Sequence, residues 1–432
     1  MGFCYMLSFM DKTTLSQAAL LGIREDLKLT GSKYTWCSIT FYIGYLVWSW
    51  PTSYLISCLG PNLHGPALCQ NFGGLMATRF LLGVGESAVA PGFTLIVAGF
   101  YKRQEQPLRQ GAWYLGSCIG NIIGGLVSYG IGTISSPLAK WRYLYIILGA
   151  VTCAYSFLLL AVLPDSPAKA VFLNAHEREL ATHRTRVEHT TRDESAFRWR
   201  QVLDAVLDPQ VWLLVVYSFC VNLCNGGLTT FAGIIISGFG FNALISLLLQ
   251  TPLGGASLVF LLVTSVAATY LKSLRVGMMI ANCLVSLTGF LLIYLLPSGD
   301  KAGKLTGLCL TTAFIVNMPL VLSVVSANVI GATKQITVSI LVFAAFSLGN
   351  IVGPQFFFPS EEPRYGTRYT GITACLSGTA LGILFLLSLI VYYVWENRRR
   401  DAVHRPSGPH NAPETAASDR TDRQIPESRY VF

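Results

Sequence analysis

Residues 79–88 read Arg79-Phe80-Leu81-Leu82-Gly83-Val84-Gly85-Glu86-Ser87-Ala88. The spacing Gly83-x-Gly85-x-x-Ala88 matches a dinucleotide-binding fingerprint, which must follow a strand and open a soluble helix in a βαβ unit. Here it lies inside an apolar run, residues 72–100, and is preceded by Arg79. A run of that length is enough to cross a bilayer as helix, and small residues within it permit close helix packing. The composition of the whole chain favours that second reading. Of 432 residues, 52% are hydrophobic and 12% charged, against about 25% charged in ordinary soluble domains. This excludes a typical soluble enzyme and a disordered chain. The net charge of +9 is carried by short basic segments between apolar runs, which is a membrane-orientation signal and no footprint for nucleic acid. The 11 cysteines show no paired spacing and fall mostly inside apolar stretches, so neither a disulfide framework nor a metal site is expected.

Working outward, candidate spans are 1–22, 34–56, 72–100, 111–132, 142–163, 211–237, 243–271, 276–297, 305–330, 336–358 and 371–395, about eleven in all. The first lacks a basic n-region and is interrupted by Asp11-Lys12, so it does not read as a signal peptide. Basic residues collect after the third, fifth, seventh, ninth and last runs: Lys102, Arg103 and Arg109; the stretch Arg178 to Arg200; Lys272 and Arg275; Lys334; Arg398-Arg399-Arg400. Alternate loops are lighter, although Arg24, Lys28 and Lys33 weaken the bias. The heavy set, with the C-terminal end, is therefore expected in the cytoplasm.

A long hydrophilic stretch, 165–208, divides an N-terminal bundle (1–164) from a C-terminal one (209–396). Asp165-Ser166-Pro167 resembles a helix start, and Asn174 with Glu177 resembles a capping box. Short amphipathic helices on the cytoplasmic face are expected there. Residues 397–432 are rich in Arg, Ser, Pro and Asp without apolar periodicity, which predicts a disordered cytoplasmic tail.

The 79–88 stretch is similar to the R-x-x-x-G-x-G-x-A motif of the fourth span in the major facilitator superfamily. Further elements resemble one branch of it: Asp11-Lys12-Thr13, Gly44-Tyr45 with Pro51, and Ala90-Pro91-Gly92-Phe93 before Tyr101-Lys102-Arg103. Asn225-Gly226-Gly227-Leu228-Thr229, Asn328 with Thr333-Lys334, and Gly349-Asn350-Ile351-Val352-Gly353-Pro354 fit the same branch. That branch is the fungal allantoate-permease-like group of the anion:cation symporter family, and the resemblance extends to about residue 395. It implies an all-α polytopic membrane protein of two helical bundles. It also implies import of a small organic anion, such as a ureide, a vitamin acid (nicotinate or pantothenate) or a dipeptide, by proton symport with alternating access. The implied partners are the substrate, protons and the lipid bilayer of the plasma membrane, around a monomer with no cofactor and no nucleic acid.

The chain departs from the family pattern of twelve spans and two cytoplasmic ends. Between the second run and Arg79 it offers only 57–70, SCLGPNLHGPALCQ, with two Pro and two Gly. Fourteen extended residues reach at most about 50 Å, but extended backbone in lipid leaves its amides unsatisfied. Two explanations stand: the first pair of helices inserts inverted, or the third family span is missing, together with the usual segment before Met1. In the superfamily that span lies outside the N-terminal bundle, away from the cavity.

Charges deep in spans are costly and tend to be functional. Away from the span ends there are four: Asp11, Lys12, Arg79 and Glu86. They balance in sign, so buried pairing that only holds the bundle together is one reading. The functional reading gives Lys12 or Arg79 to a substrate carboxylate, with Arg the better bidentate fork. All six His (64, 176, 183, 189, 404, 410) lie in loops or tails, leaving carboxylates for proton coupling. Glu86, two helical turns after Arg79, is the first candidate and Asp11 the second. Tyr45, Asn225 and Asn317 are candidates for orienting substrate, or equally for interhelical hydrogen bonds. Against a transporter stand a non-transporting, receptor-like or defective membrane protein, which the missing span favours, and a membrane enzyme. For the enzyme the chain has no HExxH, Walker A string or clustered His.

Overall fold

A computed structural model describes residues 1–55, 69, 71–87, 89, 92–93, 97, 106–135, 137–162, 174, 176–180, 198–270, 274–297, 299–358, 361, 370–403, 421–423 and 429–431. The described elements are helices, with no strand among them. In the first half, α1 is Gly2–Leu20, α2 Lys33–Leu55, α3 Phe72–Glu86, α4 Gln106–Gly132 and α5 Lys140–Val162. A short helix α6, Trp199–Val206, precedes the second half. There α7 is Pro209–Gly238, α8 Ala243–Leu248, α9 Gln250–Tyr270, α10 Arg275–Leu295, α11 Lys301–Thr311, α12 Asn317–Asn328, α13 Ala332–Val352 and α14 Thr370–Val403.

Eight described segments are long and apolar enough to cross a membrane: 111–132, 140–159, 209–238, 243–268, 275–295, 301–328, 333–356 and 370–402. They coincide with the last eight expected spans. Helices α1, α2 and α3 start where the first three expected spans start, with α3 described only to Glu86 of the run 72–100. Helix α1 is less apolar because Ser8, Asp11, Thr13, Thr14, Ser16 and Gln17 are buried along it. A helix polar on its buried side is one built to line an interior.

Within the first half, α1 packs on α4 and α5, and α2 on α3. Within the second, α7 packs on α13 and α14, and α10 on α11 and α14. The halves meet through α1 on α7, α2 on α13, and α4 on α8 and α9. Close approach of α2 and α3 depends on Gly83, where a Cβ would collide with the Phe41 carbonyl. The two helices run in the same direction. The Lys33 ammonium sits 5.9 Å over the Phe72 ring at their starts, while Phe41 meets Gly83 further along. An inverted first pair would set α2 and α3 antiparallel, so that explanation does not hold. Residues 57–70, where the family's third span is expected to be missing, lie outside the described residues apart from Cys69.

The second half contains a broken helix. Between α11 and α12, Thr312–Val316 tightens into 3₁₀ geometry, and Pro319 has no N–H to offer the carbonyl four residues back. That carbonyl, Ile315 O, instead accepts the Tyr114 hydroxyl of α4 at 2.9 Å, across the boundary between halves. The Phe314 N–H is satisfied by Ser286 Oγ at 2.8 Å.

In the connecting stretch, one half of the expected capping box forms: the Asn174 N–H donates to the Glu177 carboxylate at 2.9 Å. Asp165-Ser166-Pro167 lies outside the described residues. Amphipathic α6 buries Gln201 and Ala205, and Gln201 Oε1 accepts the N–H groups of Thr333 and Lys334 at 3.0 and 3.2 Å. The expectation of disorder from residue 397 is corrected where the tail is described. Helix α14 continues to Val403, and Asp422 and Tyr430 are buried. Composition treats those side chains as solvated, whereas the second half supplies matched partners for them.

Candidate functional site

Two of the four deeply placed charges of the first half, Lys12 and Glu86, meet at a cavity between the halves. Its wall is Tyr5, Ser8 and Lys12 from α1, Tyr45 from α2, Glu86 from α3 and Trp113 from α4, faced by Met318 and Phe346 from α12 and α13. Tyr5, Ser8 and Lys12 stand at i, i+3 and i+7, one face of a helix. The Lys12 ammonium lies 3.1 Å from the Glu86 carboxylate. It also sits 5.8–5.9 Å from the ring centres of Tyr5, Phe41 and Tyr45, a cage that stabilises a cation by about 0.5–1 kcal/mol per ring where water still reaches it. The Glu86 carboxylate interacts with the Lys12 ammonium and the Ser8 hydroxyl and has no further partner, and the buried Trp113 Nε1 has no hydrogen bond. Buried polar atoms are nearly always paired, so one left open on the cavity wall is arranged for a ligand or water.

A second lobe shares Tyr114, Met318 and Phe346 with the first and adds Tyr217, Asn222, Asn225 and Asn317 from the second half. Asn225 donates to Asn350 at 2.9 Å. Asn317 is more fully engaged. Its amide donates to the Tyr217 hydroxyl at 2.9 Å and the Met279 carbonyl at 3.0 Å, and its oxygen accepts from Asn282 at 2.8 Å.

At the end where α7 stops, the halves are joined by hydrogen bonds. The Tyr34 hydroxyl donates to the Thr230 carbonyl at 2.8 Å, Ser38 and Thr230 hydroxyls meet at 2.7 Å, and the Gly233 N–H donates to Ser16 Oγ at 3.1 Å. These bonds hold the two halves together at that end.

Comparison with known proteins gives this geometry its setting. Residues 1–354 match the profile of the Major Facilitator Superfamily. The chain belongs to the major facilitator superfamily. Within it, the chain is 30% identical to the allantoate permease of Saccharomyces cerevisiae, covering 99% of this chain and 83% of that protein. An uncharacterized transporter of Schizosaccharomyces pombe, C757.13, is 35% identical over 99% of this chain and 84% of its own length. The high-affinity nicotinic acid transporter of Saccharomyces cerevisiae is 26% identical over the whole chain and 82% of that protein. Among solved structures, the xylose transporter XylE of E. coli superposes with a TM-score of 0.64 at 15% identity, over 90% of this chain and 97% of that one. That likeness concerns fold alone. The protein is an integral membrane protein of the fungal allantoate-permease-like kind, a secondary transporter and no enzyme.

In this facilitator fold, the anticipated residues divide into two groups. Lys12, Tyr45 and Glu86 share one lobe, and Asn225 and Asn317 the other. Arg79 and Asp11 reach neither. Arg79 is 1% exposed; its guanidinium donates to the Tyr145 hydroxyl at 2.8 Å and the Asp11 carbonyl at 3.3 Å. The Asp11 carboxylate forms no ion pair or hydrogen bond among the described residues. Ser8, Trp113 and Tyr114 went unnoticed in the sequence. The i, i+4 placement of Ser8 before Lys12 was a signal for the first, while nothing in the sequence marks the other two.

Proposed function

We propose that the protein imports a small organic anion by proton symport, with the substrate carboxylate bound at Lys12 and the proton carried by Glu86. The observation that supports this most is the Lys12–Glu86 pair on the cavity wall, beside the Ser8 hydroxyl and the unpaired Trp113 indole N–H. A carboxylate entering the lobe competes with Glu86 for the ammonium and takes further donors from Ser8 and Trp113. Glu86, released from its counter-ion in a buried site, then favours its protonated form. Anion and proton thereby bind with positive coupling, and each leaves more readily once the other has gone. Tyr45 and Asn225 orient the substrate from either half. Arg79 and Asn317 act by holding helices in place: Arg79 fixes α3 to α1 and α5, and Asn317 holds the start of α12 to α7 and α10.

The basic loops support a cytoplasmic C-terminal end in a plasma-membrane protein, with the hydrogen-bonded end of the cavity facing outward. The test is uptake of labelled allantoate, nicotinate, pantothenate and dipeptides by a transport-deficient host. It is followed by uphill uptake and counterflow in vesicles over external pH. Accumulation of one anion driven by an inward proton gradient is expected. Absence of saturable uptake for every anion, with normal surface abundance, refutes the proposal.

A further inference from the structure

We propose that the second half carries a peptide-binding site at its cytoplasmic end, occupied reversibly by the chain's own tail residues 421–423 and 429–431 through Asp422 and Tyr430. The floor of the site is Lys334 at the start of α13, whose side chain is fully buried. Its ammonium contacts Asp208, the N-cap of α7, and the tail's Asp422, each at 2.7 Å, with Asp204 of α6 at 3.4 Å. The other Asp422 oxygen accepts Gln210 Nε2 at 3.2 Å and the Tyr430 hydroxyl at 2.9 Å. The Tyr430 ring stacks on Tyr393 at 4.9 Å between centroids and lies 4.6 Å from the Arg400 guanidinium.

Two asparagines hold the tail backbone as a neighbouring strand would. Asn397 accepts the Tyr430 N–H and donates to its carbonyl, both at 2.9 Å. Asn328 accepts the Val431 N–H at 2.8 Å and donates to its carbonyl at 2.7 Å. An acidic side chain for the cation, a tyrosine eight residues later for the aromatic slot, and two amide clamps define the ligand as a peptide.

The charge arrangement makes the engagement reversible. Removing one partner of a buried ion pair is strongly destabilising because it strands the other charge. Here departure of Asp422 strands nothing, since Lys334 keeps Asp208. The outer pairs, Arg423–Asp204 at 3.4 Å and Arg429–Asp401 at 2.7 Å, each include an exposed partner and contribute little. When occupied, the site joins the ends of α7, α12, α13 and α14; when vacated, it releases the turn between α12 and α13.

Hydrogen exchange of the intact protein in detergent, read at the Tyr430 and Val431 amides, tests this. Exchange at least about tenfold slower than in a free peptide, and at least about tenfold faster than in α7 and α13, is expected of a local opening. Asp422→Ala is expected to bring both amides to the free-peptide rate while α7 and α13 keep theirs. A synthetic peptide of residues 419–431 at millimolar concentration, which matches a tethered segment, is expected to speed exchange in the protein's own tail. Three results overturn the proposal. They are tail amides as slow as the core helices, with Asp422→Ala deprotecting those helices too; wild-type tail amides at the free-peptide rate; and no competition by the added peptide.

Discussion

Separating Lys12 from Glu86 by mutation measures whether the cavity is organised around that pair. At 3.1 Å, two unit charges attract by about 5 kcal/mol for an effective dielectric near 20. Desolvating them costs several kcal/mol each, so the intact pair contributes little net stability, while breaking it costs about 3–5 kcal/mol. The three aromatic rings around Lys12 soften this for Glu86→Gln, to about 2–3 kcal/mol. Lys12→Met leaves a carboxylate whose side chain is only 2% exposed and without a counter-ion, and is expected to cost about 3–5 kcal/mol unless the carboxyl protonates. Lys12→Met with Glu86→Gln removes both charges and is expected to lose no more than the milder single change. The coupling is therefore at least about 3–5 kcal/mol. Purified protein in detergent, followed by thermal melting, resolves this, since 1 kcal/mol moves the midpoint by about 2 °C in a large domain. The same variants in vesicles report on transport. Glu86→Gln is expected to retain counterflow and lose uphill accumulation, because Gln keeps the shape of a protonated Glu and cannot release a proton. Strictly additive melting losses, or uphill uptake by Glu86→Gln with unchanged pH dependence, refute the reasoning.

Arg79→Lys loses the guanidinium contacts to Tyr145 and the Asp11 carbonyl, and is expected to lower stability by about 1–3 kcal/mol; uptake per molecule at the surface should change less than abundance. Gly83→Ala places a methyl against the Phe41 carbonyl, and an overpacking cost of about 1–3 kcal/mol is expected as a lower melting midpoint. Tyr114→Phe leaves the Ile315 carbonyl without its donor, at about 1–2 kcal/mol. Because the bond crosses between halves, about a tenfold change in the labelling rate of a cysteine placed in the cavity is expected, with the melting midpoint lowered by about 2–4 °C.

The spans were legible because each satisfies a local requirement, about 20 apolar residues without a charge. Their observed starts and stops fall within a few residues of the apolar runs, except α3, described only to Glu86 of the run 72–100, and α14, where charged residues extend the helix to Val403 beyond the hydrocarbon length. The capping bond at Asn174 was legible for the same reason, since its two partners are three residues apart. The break before Asn317 was not. Pro319 marks a missing donor, but the hydroxyl that satisfies the freed carbonyl comes from Tyr114, some 200 positions away. The tail failed in the opposite sense: its polar composition argued for solvation, and the Lys334, Asn328 and Asn397 partners that bury it lie in other helices.

The four charges show where sequence reasoning about a site reaches its limit. That Asp11, Lys12, Arg79 and Glu86 cancel in sign was visible, and the cost of burial requires some such cancellation. Which charge neutralises which was not visible. Glu86 follows Arg79 by two turns, so both lie on one side of α3, but seven residues at 1.5 Å each separate them by about 10 Å along the axis. That is beyond ion-pair reach, so each had to find its partner on another helix. Glu86, nearer the cavity, meets Lys12. Arg79, deeper in the packing, is satisfied by a tyrosine hydroxyl and a backbone carbonyl, neither of which carries a charge. A guanidinium held by neutral acceptors loses no counter-ion when substrate arrives and gains no proton-linked competitor. A lysine held by a buried carboxylate has both. The substrate site is therefore argued for Lys12, and the structural role for Arg79, by the kind of partner each one has.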